Sequence, residues 1–334
     1  MWHAENAWCK AATVSMLLLG LIAWLYYSFL PYASGISHFT LSSKQRFLQH
    51  HSIASYDAFQ ASDVTIWFVE SSNETNLKGR QACSIESASL HNPNVRVLLL
   101  TTGHLSPNCD FYKALSSLRN FASLKLNLTD TFSDTPLDSW HRSRNWTKGP
   151  YAIEDLSDGI RLAVLWKHGG MYLDLDIIVL KELSELSNSV MFEVTGQLTN
   201  SVLCFDKAHP FIGEALKRCS EEYDTVRWGS CGPSLLGRIY YSWRNVRKVV
   251  RFRERDTFFA VGYDTWMSFF EPSKTGWVFE TVSNSYGVHL WNKLSHGVRV
   301  VVGSGSALDV LARFNCPTNQ DEFFIKREAS LLPF

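Results

Sequence analysis

The sequence predicts a doubly wound α/β protein, with a mixed sheet and helices on both of its faces, preceded by a transmembrane helix. From Val64 onward, short apolar segments of strand length alternate with segments of helix length, a pattern typical of βαβ units. The segment Val95–Leu100 is apolar except at Arg96, which indicates a parallel strand covered on both faces. Residues 11–30 carry no charged side chain, and a helix of that length spans about 30 Å, the thickness of a bilayer core.

The N-terminal segment indicates how the chain is organised around a membrane. We predict a tail at 1–10, an anchor at 11–30 and a stem at 31–62, followed by a folded domain at 63–334; a cleaved signal peptide is the alternative to the anchor. Sequons begin at Asn73, Asn127 and Asn145, which favours a lumenal location for the domain.

Lys and Arg total 32 against 32 Asp and Glu, a balance that argues against nucleic acid as a partner.

The cysteines also favour a lumenal location for the domain. Of seven cysteines, Cys9 precedes the predicted anchor and the others follow it, and an even set suits disulfides in an oxidising lumen. The sequence leaves the connectivity open, and buried free thiols are the alternative. We expect Cys83–Cys109 as the first pair because these residues flank one predicted α/β unit.

The elements follow one another as strand, helix, strand, helix and strand. Their predicted ranges are Val64–Val69, Arg80–His91, Val95–Leu100, Phe111–Leu118 and Ala122–Leu128. A longer helix is predicted at 155–167, with Asp155 or Ser157 able to cap it. Gly169-Gly170 ends that helix and turns the chain. A buried strand, Tyr172–Leu180, then contains two carboxylates.

Those carboxylates, Asp174 and Asp176, are the most informative feature of the sequence. On a regular strand, residues two apart point to the same face, and two like charges in apolar surroundings require a positive partner. A divalent cation such as Mg²⁺ or Mn²⁺ meets that need. Asp158 and Arg161 share a face of the preceding helix, where Arg161 could meet an anion and Asp158 could accept sugar hydroxyls. The alternatives are a helix-surface ion pair and a strand end that emerges into solvent.

A phosphatase of the haloacid dehalogenase class is a further interpretation of this motif. That motif normally has Thr or Val at the fourth position after the first Asp, where this chain has Ile178. The pair also lies in the middle of the chain, and no Asp-Asp pair preceded by a suitable Lys follows it. We therefore reject this interpretation.

An ordered series of motifs resembles the animal α-1,4-galactosyltransferases and α-1,4-N-acetylglucosaminyltransferases, glycosyltransferase family 32 with its DXD region. The resemblance runs from about Ile66 to Pro317. Besides the helix and DXD unit at 155–180, its stretches are Phe68–Ser72, Cys83–Ala88, Asp134–Trp140, His209–Phe211, Trp228-Gly229 with Gly232-Pro233, Val288–Ser295 and Asn315–Pro317. The resemblance implies a GT-A fold, a UDP-sugar donor, Mn²⁺ and a type II Golgi membrane enzyme.

The resemblance also implies roles for individual residues. Asp176 would ligate the metal directly, Asp174 would contact the metal or the ribose, and His289 or Asn292 would close the site. A core strand with one polar residue is the alternative for His289. The residues implied in donor binding and catalysis together are Asp158, Arg161, Gly170, Tyr172, Asp174 and Asp176.

The function implied is retaining transfer of a hexose, with galactose favoured, in α-1,4 linkage to a terminal sugar of a glycosphingolipid. Residues 63–190 would bind the donor and 191–334 the acceptor. The sequence shows no convincing enzyme nucleophile, which favours front-face attack. Transfer of N-acetylgalactosamine or N-acetylglucosamine, to glycolipid or glycoprotein, is one alternative; a non-catalytic Golgi protein that binds sugar nucleotides is another. Ser230-Cys231 and Phe259–Val261 depart from the family pattern on the acceptor side.

Overall fold

The computed structural model describes residues 64–318 of the chain. The predicted tail, membrane anchor and stem at 1–62 lie outside these residues. Within the described part, no helix is both long enough and apolar enough to cross a membrane.

The first half of the domain forms the predicted βαβ series. Strands β1 (Thr65–Glu70), β2 (Arg96–Thr101) and β3 (Phe121–Lys125) are parallel neighbours, with helices α1 (Gly79–His91) and α2 (Asp110–Leu115) in the connections. The predicted third strand extends too far at its C-terminal end. The Asn127 side chain accepts hydrogen bonds from the backbone of Thr129 and Asp130 and so starts a helix there.

The later elements surround a second part of the sheet. The long helix begins earlier than predicted, at Ala152, so that Asp155 and Ser157 lie inside it and neither caps it. The helices of this part are α3 (Leu128–Phe132), α4 (Asp138–Ser143), α5 (Ala152–His168), α6 (Pro210–Glu222), α7 (Pro233–Ser242), α8 (Thr275–Thr281), α9 (Asn292–Ser295) and α10 (Ala307–Asn315). The strands are β4 (Gly170–Leu173), β5 (Ile177–Val179), β6 (Ser189–Val194), β7 (Gln197–Phe205), β8 (Arg251–Arg253) and β9 (Gly287–His289).

The sheet is mixed, and helices pack on both of its faces. Its strand order is β3-β2-β1-β4-β7-β6-β8, with β4 parallel to β1 and antiparallel to β7. One apolar cluster includes residues of α1 and α10, and the other includes residues of α5, α6 and α7. The predicted α/β architecture, a mixed sheet with helices on both faces, is therefore confirmed. The chain order reverses between β1 and β4, and ligands bind open α/β sheets at such a reversal, outside the carboxyl ends of the strands.

The predicted strand across Tyr172–Leu180 is interrupted, which corrects the sequence interpretation. The backbone N–H of Ile177 donates to the carbonyl of Asp174 at 3.2 Å, closing a turn. Strand β4 before the turn belongs to the large sheet, whereas β5 after it pairs with β9 in a separate two-stranded sheet. The two carboxylates thus occupy a connection between sheets, and strand alternation does not set their directions.

The predicted Cys83–Cys109 bridge is wrong. Cys83 bonds to Cys316 with a Cα–Cα distance of 5.0 Å, and Cys219 bonds to Cys231 at 4.9 Å. Helix α1, which carries Cys83, packs against α10, and Cys316 follows α10 directly. Cys109 and Cys204 are buried free thiols, the alternative that the sequence left open.

Candidate active site

Asp174 lies at the carboxyl edge of the sheet, directly after β4 and beside the point where the strand order reverses. Its backbone N–H donates to the carbonyl of Ser201 at 2.8 Å, which fixes the start of the turn. Its Oδ1 accepts hydrogen bonds from Arg161 Nη1 at 3.0 Å and from the Tyr172 hydroxyl at 2.6 Å. One carboxylate oxygen is therefore held by α5 and β4 together.

Arg161 is buried on α5 and connects that helix to the DXD segment. Its Nη1 also donates to the carbonyl of Asn200 at 2.9 Å, and its Nη2 donates to Ser157 Oγ at 2.8 Å. The guanidinium lies 4.3 Å from the centre of the Tyr172 ring. Burial lowers the pKa of Arg161, but Asp174, Tyr172 and Asp158 outweigh it and the net shift is upward. Arg161 is thus a fixed positive charge whose donors are directed to protein acceptors.

Asp158 forms the inner wall of the site. Its Oδ1 lies 3.3 Å from Arg161 Nη2 and accepts a hydrogen bond from Asn200 Nδ2 at 2.7 Å. Gly232 packs so closely that a Cβ there would lie 2.2 Å from Asp158 Oδ2, so the Gly-Pro motif of the C-terminal half contacts this carboxylate directly. Burial raises the pKa of Asp158 to about 6, although Arg161 and Asn200 partly oppose the shift.

Asn200 is a site residue that sequence reasoning missed. The pairing of β6 with β7 is irregular between Val190↔Leu203 and Phe192↔Leu198, so that several β7 residues face one β6 residue. Asn200 lies in this bulge, where its side chain reaches Asp158 and its carbonyl reaches Arg161. Bulges commonly re-aim side chains next to active sites. No local sequence signal marks this irregular pairing.

A candidate cation site lies next to Asp158 and Arg161. Three residues, which we call the cation triad, each offer a ligand atom: Asp174, Asp176 and His289. These ligand atoms lie within 4.8 Å of one another. The pairing of β5 with β9 places Ile177 opposite His289, and His289 Nε2 lies 3.3 Å from Asp176 Oδ1. The other ring nitrogen of His289 is buried with no hydrogen-bond partner among the described residues. Two carboxylates and an imidazole are a donor set that a divalent cation such as Mn²⁺ accepts.

The charges within the triad favour an ion pair when no cation is bound. Burial raises the pKa of Asp176, but the charge and hydrogen bond of His289 and the Asn292 backbone outweigh it, and the net shift is downward. Burial lowers the pKa of His289, but Asp176 outweighs it and the net shift is upward. A cation would take the place of the imidazole proton, so binding would release it.

Asn292 meets the DXD segment through its backbone. Its N–H donates to Asp176 Oδ2 at 2.8 Å, at the start of α9, where Trp291 adopts a left-handed conformation with φ 55°. The Asn292 side chain accepts from Arg80, whose guanidinium also donates to Ser295 Oγ at 2.7 Å and to the Val298 carbonyl at 2.6 Å. Arg80 therefore fastens α9 to α1. Sequence reasoning missed Arg80 because its partners lie more than two hundred residues along the chain.

Two further residues that were expected to bind the donor, Tyr172 and Gly170, also contribute to the packing of the fold. Tyr172 is buried and meets the site through its hydroxyl. Gly170 begins β4, at the opposite end of that strand from Asp174. Its φ is 101°, and a Cβ there would lie 2.3 Å from the carbonyl oxygen of Thr65. Gly170 thus permits the close approach of β4 to β1.

A mixed α/β fold that presents an Asp-x-Asp pair and a buried arginine at a strand-order reversal fits the glycosyltransferase class. Residues 78–193 match the glycosyltransferase sugar-binding region containing the DXD motif, and residues 204–322 match the alpha 1,4-glycosyltransferase conserved region. The chain is 32% identical over 269 residues to lactosylceramide 4-alpha-galactosyltransferase of Homo sapiens, covering 77% of this chain and 76% of that protein. The chain therefore belongs to the family of α-1,4-glycosyltransferases, and the resemblance drawn from its motifs is confirmed.

Other proteins are similar at lower identity. Alpha-1,4-N-acetylglucosaminyltransferase of Homo sapiens is 28% identical over 284 residues, covering 80% of this chain and 82% of that protein. Among solved structures, the galactosyltransferase LgtC with donor and acceptor sugar analogues superposes with a TM-score of 0.42 at 15% identity, covering 77% of this chain and 95% of that chain. The PaToxG glycosyltransferase gives a TM-score of 0.43 at 18% identity, covering 54% and 68%.

Proposed function

We propose that the protein is a GT-A type retaining transferase that moves a hexose, with galactose favoured, from a UDP-sugar in α-1,4 linkage onto a terminal sugar of a glycosphingolipid. The observation that carries the proposal is the convergence of Asp174, Asp176 and His289 beside a buried Arg161. The 32% identity to lactosylceramide 4-alpha-galactosyltransferase supports the choice of galactose and of a glycolipid acceptor.

The triad supplies the ligands for the cation. Asp176 and Asp174 offer carboxylate oxygens and His289 offers an imidazole nitrogen. When bound, Mn²⁺ would stabilise the negative charge that develops on the diphosphate as the glycosidic bond to UDP breaks. Arg161 holds Asp174 in place and adds a positive charge to the wall of the site, which stabilises an anion without reorganisation.

The inner wall positions the donor sugar. Asp158 and Asn200 are joined by a 2.7 Å hydrogen bond, and both lie against the segment that carries Gly232. Their polar atoms offer partners for sugar hydroxyls, so they orient the anomeric carbon toward the acceptor. No enzyme nucleophile is assigned, and the proposal retains front-face attack, in which a phosphate oxygen takes the acceptor proton.

The acceptor approaches past two aromatic rings, Tyr151 and Trp228, with the Lys293 ammonium near both of them. The Lys293 ammonium lies 5.5 Å from the centre of the Trp228 ring and 5.9 Å from that of Tyr151. Trp228 is 42% exposed, and it precedes the Gly-Pro segment that contacts Asp158. Aromatic faces with a nearby polar group suit the apolar and hydroxyl faces of a sugar.

The proposal includes a Golgi location with a type II anchor at residues 11–30 and the domain 63–334 in the lumen. Supporting this, Asn73, Asn127 and Asn145 of the three sequons are all exposed, so a lumenal oligosaccharyltransferase could reach each of them.

Transfer of N-acetylglucosamine is the second candidate, favoured by the 28% identity to alpha-1,4-N-acetylglucosaminyltransferase. The test of both is a screen of UDP-galactose, UDP-N-acetylgalactosamine and UDP-N-acetylglucosamine, each with Mn²⁺, against lactosylceramide and against glycoprotein acceptors. We expect transfer from UDP-galactose to the glycolipid, lost on addition of EDTA. Failure of all three donors with every acceptor, alongside measurable UDP binding, would instead support a non-catalytic binding protein.

A further inference from the structure

Glu193 is an acidic residue near the cation triad that none of the motifs includes. It lies on β6 between Phe192, which pairs with Leu198, and Val194, which pairs with Gln197. Because Leu198 and Gln197 are consecutive, Glu193 is the one extra residue of a β-bulge. A bulged residue leaves the regular ladder, and its side chain is freed to take a new direction.

The neighbours of Glu193 show on which side of the sheet it lies. Val190 and Phe192 pack into the apolar cluster that contains α5, α6 and α7. Met191 is buried in the opposite cluster, which contains Val288 of β9. The charged groups that act on Glu193 are His289, also on β9, and Asp174. Glu193 therefore lies on the side of β6 where Met191 and β9 pack, near enough to His289 and Asp174 for their charges to act on it.

This carboxylate has no partner in the described part of the chain. Among residues 64–318, no side chain and no backbone N–H group forms a hydrogen bond or an ion pair with it. Its burial is intermediate, so part of its surface is open to a ligand. Burial raises the pKa of Glu193, with His289 opposing the shift and Asp174 adding to it. A half-buried carboxylate without donors is unfavourable unless a ligand supplies them.

We propose that Glu193 is a substrate-contacting residue that accepts hydrogen bonds from sugar hydroxyls beside the cation triad. The proposal deepens the proposed function and rests on it. Sugar hydroxyls are the donors that a UDP-sugar and a glycan acceptor both bring to this place, and a carboxylate is a stronger acceptor for them than a neutral group. The sugar contacted belongs either to the donor or to the acceptor, and kinetics separates the two.

The experiment compares Glu193→Ala and Glu193→Gln with wild type and with the control Glu221→Gln, an exposed glutamate on α6. Initial rates are measured with UDP-galactose varied and then with lactosylceramide varied, at fixed Mn²⁺. Affinity for UDP with Mn²⁺, measured by calorimetry, and the melting temperature serve as controls for the cation site and the fold.

We expect at least a tenfold loss of kcat/KM in Glu193→Ala and a smaller loss in Glu193→Gln, which keeps an oxygen acceptor. UDP affinity and melting temperature should match wild type. A raised KM for UDP-galactose assigns the contact to the donor sugar, and a raised KM for the glycolipid assigns it to the acceptor.

Variants as active as wild type overturn the proposal, and so does an equal loss of UDP affinity, which would place Glu193 at the cation instead. If the wild-type protein is inactive with every donor, the proposed function and the proposal for Glu193 both fail. If the wild type is active and the Glu193 variants match it, only the proposal for Glu193 fails.

Discussion

Asp174 and Asp176 are equivalent in the sequence motif but have different partners in the structure. Asp174 is bonded to Arg161 and Tyr172 of the first half of the domain. Asp176 is bonded to His289 and to the backbone of Asn292 in the second half. The candidate cation site therefore takes its ligands from both halves of the domain, with Asp174 bonded within the first half and Asp176 bonded to the second.

We predict that Asp176→Asn abolishes transfer while the protein stays folded. Asparagine keeps the shape and an oxygen that can accept from the Asn292 backbone, but it removes the charge that a cation requires. The loss of cation-assisted departure of UDP corresponds to several kcal/mol, or orders of magnitude in rate. The measurement is Mn²⁺-dependent release of UDP at matched protein levels, with circular dichroism as the folding check.

The control is Asp138→Asn, at the half-buried start of α4, where Asp138 forms an ion pair with the exposed Arg142. Asp138 is the first residue of that short helix. Its replacement should change activity little. Wild-type activity in Asp176→Asn, or activity of the wild type in EDTA, would refute the cation-dependent mechanism.

Asp158→Asn should reduce transfer by at least tenfold, mainly in kcat. The neutral side chain weakens the contacts with Arg161 and Asn200 that orient the donor sugar. The affinity for UDP alone, measured by calorimetry with Mn²⁺, should change less than threefold because the triad is intact. A large loss of UDP affinity would show that Asp158 supports the cation rather than the sugar.

Asp155 gives a prediction about stability and pH. Burial raises its pKa to about 6, although a hydrogen bond from Tyr223 opposes the shift. In the unfolded chain the carboxyl ionises near pH 3.9, so the contribution of the neutral group to stability is present below pH 4 and is lost as the pH rises to 6. Asp155→Asn should therefore gain stability relative to wild type as the pH rises from 4 through 6, by roughly 2 to 3 kcal/mol in total. The measurement is urea unfolding of both proteins across this pH range. A difference in the free energy of unfolding that does not change with pH would contradict the prediction.

At the level of elements, the sequence predicted the helices and strands that depend on neighbouring residues. The first two parallel strands and α1 begin and end within one residue of their predicted places, whereas β3 ends three residues before its predicted end. The break after Asp174 could not be predicted because β5 leaves the sheet to pair with β9, whose residues come about a hundred positions later. The same holds for Asn200, which reaches the site only through an irregular pairing of β6 and β7.

The disulfides show the same limit. Cys83 and Cys316 are 233 residues apart, and only the packing of α1 against α10 brings them together. Proximity in sequence favoured Cys109, which instead lies just before α2 as a buried thiol. Peptide mapping without reduction should find the two bridges Cys83–Cys316 and Cys219–Cys231, with Cys109 and Cys204 available to alkylation only after unfolding.

Removing either bridge should lower stability, and the long one should matter more. On the chain-entropy model, a bridge that closes 233 residues stabilises by about 5 kcal/mol, against about 3 kcal/mol for one that closes 12. We expect the double variant Cys83→Ser with Cys316→Ser to melt at a lower temperature than Cys219→Ser with Cys231→Ser. The reverse order would show that local packing, rather than loop closure, dominates.

At the scale of the whole molecule, the predicted division into a donor half at 63–190 and an acceptor half at 191–334 remains a proposal. The candidate site takes Asp158, Arg161 and Asp174 from the first range and Asn200 and His289 from the second. The sequence shows the order of the motifs along the chain. It does not show where the motifs come together in space, because that depends on the packing of two sheets and of α9.

Membrane topology is also a whole-molecule prediction. If residues 11–30 anchor the protein with the domain in the lumen, the exposed sequons should be glycosylated in cells. Endoglycosidase treatment should then increase gel mobility, and Asn127→Gln should remove one step of that shift without affecting folding beyond the loss of a helix cap, about 1 kcal/mol. An unchanged mobility, together with digestion of the domain by protease in intact microsomes, would contradict the prediction.

The Cys83–Cys316 bond makes most of the described chain a covalent ring. A single cut in any exposed segment of that ring opens it without releasing a fragment. Val226, 72% exposed, lies inside the smaller ring closed by Cys219–Cys231 as well, so a cut there leaves its two new ends joined twice. A protease that cuts the domain at its surface therefore leaves every group of the candidate site tied to the same molecule, and the cut becomes visible only after reduction.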